Sequence, residues 1–129
     1  MIVTEMKPFG VIKSQLKEDD KISIISCNEC ARLCGTGGKI GLEELKKNLA
    51  DNGFNVVDEF LFAPMCDRDQ VKRQVNPKGN VIIVLACDSG VFNVKNIFKD
   101  KKVIEALDTV GLGAFDEKGD IFIIRKFKD

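Results

Sequence analysis

The sequence contains no histidine, no tryptophan and no tyrosine among its 129 residues. Without histidine the chain lacks the commonest general base and the commonest nitrogen ligand for zinc, so any bound metal must be held mainly by sulfur. An excess of charge of either sign is also missing, since 20 Lys plus Arg balance 20 Asp plus Glu. The total charge therefore favours neither a nucleic acid nor an anionic membrane as partner. Apolar runs such as Val81–Cys87 fall far short of the roughly 20 residues that span a bilayer. The opening Met1–Pro8 has none of the charged start, apolar stretch and small-residue cleavage site of a signal peptide. No internal repeat, low-complexity tract or linker divides the chain, and hydrophobic and charged residues are balanced as in an ordinary folded protein. The expectation is one cytoplasmic domain over residues 1–129, with no nucleic-acid and no membrane partner.

What is present is an alternation of helical and strand patterns. Lys7–Asp20 opens with Pro8 at a plausible first helical position and spaces Phe9, Ile12 and Leu16 as a helix would. Lys21–Ser26 is short, rich in Ile and reads as a buried strand running into Cys27. Gly41–Asn52 carries Leu42, Leu45 and Leu49 on one helical face and stops at Asn52-Gly53. A strand over Phe54–Phe62, a short helix over Asp67–Val75 and a strong strand over Asn80–Ala86 follow. Beyond them come a helix over Val91–Phe98, a short strand at Val103-Ile104 and an edge strand over Asp120–Arg125. The fold class expected is α/β: a mainly parallel sheet with helices on its faces, in a Rossmann-like three-layer arrangement. Cys27, Cys66 and Cys87 each follow one of the first three strands, so in a parallel sheet all fall on the C-terminal edge, where such sheets bind ligands.

Five cysteines are an odd number, and three of them crowd into Cys27-Asn28-Glu29-Cys30-Ala31-Arg32-Leu33-Cys34. That crowding suits metal or redox chemistry in a reducing compartment better than a secreted disulfide framework. A C-x2-C-x3-C run followed by Gly35, Gly37 and Gly38 can wrap a compact soft centre, with glycine N–H groups free to approach it. One cysteine is surplus to a four-ligand site. Cys27, Cys30 and Cys34 rank first as ligands, and either Cys66 or Cys87 completes the set. One compact triad plus a distant cysteine fits a [4Fe–4S] cluster better than zinc, which is usually held by two CxxC knuckles; zinc is the alternative. A thioredoxin-like dithiol at Cys27 and Cys30 is disfavoured because Cys34 would leave a third thiol in the same turn. Gly35–Lys39 lacks the spacing of a phosphate loop, and Ser89 has no histidine to serve as its base.

Several landmarks stand in one order along the chain: Met1-Ile2-Val3 through Lys7-Pro8-Phe9, the Cys27/Cys30/Cys34 motif with Gly37-Gly38, and Cys66-Asp67-Arg68. Leu85-Ala86-Cys87 with Gly90-Val91, and Ala106-Leu107-Asp108-Thr109 with Leu112-Gly113, continue it. In this the sequence resembles the small, non-flavin subunit of the two-subunit methylenetetrahydrofolate reductases of anaerobic bacteria. The resemblance implies a non-catalytic subunit of an oxidoreductase. Its cluster would be bound among Cys27, Cys30, Cys34, Cys66 and Cys87. Electrons would pass from a low-potential donor to a flavin-containing barrel subunit. That family has a second cysteine-rich segment, whereas no cysteine follows Cys87 here, so the resemblance covers the family's N-terminal domain.

Overall fold

The computed structural model describes residues 1–127. In chain order the elements are β1 (Ile2–Met6), α1 (Phe9–Lys13), β2 (Lys21–Cys27), α2 (Cys30–Leu33), α3 (Gly38–Asp51) and β3 (Asn55–Phe62). They are followed by α4 (Arg68–Gln74), β4 (Val81–Leu85), α5 (Asp88–Ile97), β5 (Lys102–Glu105), β6 (Leu107–Phe115) and β7 (Ile121–Lys126). Four strands form a parallel sheet in the order β3-β2-β4-β5, and three form an antiparallel sheet in the order β1-β6-β7. The protein is thus α/β, with a parallel sheet as expected and an antiparallel sheet that the sequence pattern did not announce.

Burial explains the parallel order. After its first residue β2 is buried throughout, and so is all of β4; these two occupy the middle of the sheet and are covered on both faces. β3 alternates between exposed and half-buried residues, as an edge strand does. The helix α3 packs against β2 and β3, whereas α5 packs against β4 and β5 and touches α4. Leu42, Leu45 and Leu49 of α3 join Ile22, Ile24 and Ile83 in the core. Two serines inside the apolar strand β2 are satisfied: Ser23 Oγ accepts from Gly79 N–H at 2.9 Å, and Ser26 Oγ donates to the Gly38 carbonyl at 2.9 Å. From β2 the chain goes to β3 on one side and then crosses to β4 on the other. Connections therefore leave β2 and β4 in opposite directions, and a crevice opens above their C-terminal ends. No described helix is long and apolar enough to cross a membrane.

The first helix is shorter than its apolar spacing suggests, because Asp20 organises the approach to β2 as a turn. Its carboxylate accepts from Lys17 N–H at 2.7 Å and from Asn80 Nδ2 at 3.0 Å, while Asn80 Oδ1 accepts from Lys21 N–H at 2.7 Å. Burial by itself would push the Asp20 carboxyl up. The Lys17 N–H, Asn80 and the charges of Lys102 and Lys17 outweigh it and hold the group below its ordinary value of 3.8. A depressed carboxyl contributes stability that is complete above the unfolded value and lost as pH falls through the folded one. Asp20→Ala is therefore expected to cost about 1–3 kcal/mol at neutral pH. Urea titrations should show the gap between wild type and variant closing below about pH 4.

Candidate metal centre

The strand β2 ends at Cys27, paired with Phe62 of β3, and the Asn28 N–H extends that ladder to the Phe62 carbonyl at 2.9 Å. A two-residue bend then starts α2 at Cys30. Cys66 follows β3 by way of Ala63-Pro64-Met65, and Cys87 immediately precedes α5. The loop bearing Cys66 is held from beneath, where buried Asn93 of α5 donates its Nδ2 to the Met65 carbonyl at 2.9 Å. On the other side Thr109 of β6 accepts from the Asp88 N–H at 2.9 Å and donates to the Asp88 carboxylate at 3.0 Å. The antiparallel sheet thereby fixes the turn just after Cys87.

Four of the five cysteines line one pocket of about 330 Å³: Cys27, Cys30, Cys66 and Cys87. Ala31, Pro64, Met65, Ala86 and Gly90 supply a mostly apolar wall, and Glu29 brings the one charged side chain. Cys27 is buried, Cys30 and Cys87 are half-buried and Cys66 is exposed, so the pocket has a closed floor and an open rim at Cys66. All five thiols are free.

Cys34 lies elsewhere. Its thiol points to the Ile2 carbonyl of β1 at 3.6 Å, and beside it Thr4 and Thr36 share a hydroxyl hydrogen bond of 2.6 Å. The reason is helical. Cys30–Leu33 forms a turn of helix in which Cys34 N–H bonds the Cys30 carbonyl at 3.0 Å. A four-residue step along a helix carries a residue about 6 Å down the axis. The motif that ranked Cys27, Cys30 and Cys34 together thus places two of them at the pocket and sends the third toward β1. Cys66 and Cys87, the two candidates for the fourth ligand, both line the pocket.

Electrostatics follows the same grouping. Burial pushes the Cys27 thiol up, opposed by backbone N–H groups of Met65 and Glu29 and reinforced by Cys87 and Cys30. Partial burial likewise pushes Cys66 up, with Cys87, Cys30 and Glu29 adding to it. Cys34 is not among the main influences on either. Among the described residues no three Cys, Asp or Glu side chains are gathered closely enough to hold a single metal ion.

Two glycines allow this crowding. A Cβ on Gly37 would lie 2.6 Å from Ala31 Cβ and 3.2 and 3.3 Å from the carbonyl oxygens of Cys27 and Leu85, the last residues of β2 and β4. A Cβ on Gly90 would lie 2.8 Å from Ala86 Cβ and 3.0 Å from Met65 Cβ, in the pocket wall. Strand-end carbonyls cannot yield cheaply, so Gly37→Ala should cost about 1–3 kcal/mol in urea unfolding. Gly35 and Gly53, where a Cβ would meet nothing within 4 Å, differ from Gly37 in carrying a turn rather than a close approach. Pocket residues that motif reading did not single out are Glu29 and Met65; Asn93, outside the pocket, braces Met65, and a polar residue in an apolar helix face was its only sequence signal.

Comparison with known proteins finds no match: no family model, no curated protein and no solved structure.

Proposed function

We propose that the chain is an iron–sulfur electron-transfer protein, with Cys27, Cys30, Cys66 and Cys87 holding a [4Fe–4S] cluster. The observation that carries this reading is the convergence of four free thiols from three parallel strand ends on one apolar pocket of about 330 Å³. The donor set fits the group: four soft sulfurs, no imidazole, and room for a centre wider than one ion. When bound, the cluster supplies one-electron redox chemistry at a potential tuned by its surroundings. The chain's own residues do the rest. Ala31, Met65, Ala86 and Gly90 exclude water from the floor, and the N–H groups of Met65 and Glu29 favour the Cys27 thiolate. The exposed rim at Cys66 gives the short path to a partner that electron transfer requires.

Right-handed crossovers in opposite directions from β2 and β4 would set helices on both faces of the sheet, a Rossmann-like three-layer arrangement with the pocket at its switch point. The resemblance to the methylenetetrahydrofolate reductase small subunit adds partners. These are a low-potential donor and a flavin-containing reductase subunit of the barrel type that performs the carbon chemistry, in the reducing cytoplasm where free thiols persist.

Protein purified without oxygen should be brown, bleach with dithionite, and regain its colour when oxidised flavin mononucleotide is added. A colourless protein carrying one zinc per chain, with no spectral response to dithionite, would replace this reading with a zinc-stabilised interaction module that has no redox role.

A further inference from the structure

The strand β7 leaves one side of the small sheet open. It pairs with β6 along one edge, and no strand of the described residues pairs with the other. Its middle is apolar and exposed, with Phe122, Ile123 and Ile124 at 49%, 39% and 65% of full accessibility. Natural edge strands are usually interrupted by charge to prevent pairing. Here Asp120, Arg125 and Lys126 flank the apolar run instead of breaking it.

Backbone polarity fixes how this edge can be used. The Asp120 carbonyl accepts from Asp116 N–H at 2.8 Å, so Asp120 bonds inward to the hairpin, and by antiparallel alternation Phe122 does the same. The N–H and C=O groups of Ile121 and Ile123 then point outward. The register of β6 and β7 shifts between Leu112 and Gly113, which leaves Ile124 as the extra residue, so the regular outward ladder ends there.

From these observations we infer that β7 is a self-association edge whose occupant is the β7 strand of a second copy, paired antiparallel about a two-fold axis at Phe122. In that register Ile121 of each copy exchanges both hydrogen bonds with Ile123 of the other, and the two Phe122 rings meet across the axis. Each Asp120 comes beside Arg125 of the other copy, which gives an ion pair at both ends. Hydrogen bonding, apolar cover and charge are thus complementary in one arrangement, the isologous contact a two-fold dimer requires. This inference does not depend on the cysteine pocket.

Sedimentation equilibrium of the full chain tests it. Wild type should show a reversible monomer–dimer equilibrium. Phe122→Lys places two like charges face to face and should raise the dissociation constant by about 100-fold or more, with an unchanged circular dichroism spectrum. Asp120→Arg should weaken association as well, and the double variant Asp120→Arg, Arg125→Asp should restore it. A protein that stays monomeric at about 0.5 mM, well above the range of specific homodimers, overturns the inference. So does a dimer indifferent to Phe122→Lys, or one that the charge exchange fails to rescue.

Discussion

Cys87→Ala is expected to lower bound iron from about four atoms per chain to less than one, because it removes one of four thiolates a cube requires. Cys34→Ala should leave the iron content and the visible spectrum unchanged. The contrast is informative because the spacing Cys27-x2-Cys30-x3-Cys34 ranks Cys34 among the first ligands, whereas the fold directs its thiol to the Ile2 carbonyl. Cys66→Ala and Cys30→Ala should behave like Cys87→Ala, since all three line the same pocket. Iron retained in Cys87→Ala but lost in Cys34→Ala would return the site to the sequence motif and detach it from the strand ends. Circular dichroism of each variant separates ligand loss from unfolding. Removing the half-buried Cys34 thiol also gives up its contact with Ile2, at a cost to stability of about 1 kcal/mol.

The second large effect concerns the platform. Ile24 has no exposed surface and stands opposite Ile83 of β4 in the register of the central strands. Ile24→Ala should cost about 3–4 kcal/mol, through lost burial and the cavity left between strands that cannot collapse onto each other. Ile40→Ala, on the exposed face of α3 where Ile40 keeps 74% of its accessibility, should change stability by no more than about 0.5 kcal/mol. Urea denaturation of the two variants side by side measures the difference. If Ile24→Ala proved as mild as Ile40→Ala, the parallel sheet would not be the centre of the core.

The elements that position the pocket were legible in the sequence, and for a common reason. In β2, β4 and α3 the local pattern and the tertiary environment agree: two continuous apolar runs are buried on both faces, and a leucine stripe faces the sheet. The small sheet was largely illegible. β6 carries Asp108, Gly111 and Gly113, residue types that argue against a strand. Yet the glycines are what the pairing needs, since a Cβ on Gly113 would strike Val3 of β1 and the Phe122 carbonyl of β7. β1 has only five residues and no alternation strong enough to declare it. The edge strand β7 was visible, with its end extended by one residue to Lys126.

β1 also bears on the candidate site, since it supplies the carbonyl that the Cys34 thiol meets. Without a strand beside α2, nothing in the sequence offered the Cys34 thiol a partner, and three nearby sulfurs naturally read as one triad. Residues four apart in a helix share a face but stand about 6 Å apart along its axis, so Cys30 lines the pocket while the Cys34 thiol reaches β1. Cys66 and Cys87, separated from the motif by whole elements, were correctly put at the strand ends because parallel topology alone brings those ends together.

The most direct measurement is the iron, acid-labile sulfide and zinc content of the wild-type chain purified without oxygen. About four irons and four sulfides per chain with negligible zinc is the predicted result. One zinc per chain with neither iron nor sulfide would contradict the account and leave the four-cysteine pocket as a structural metal site.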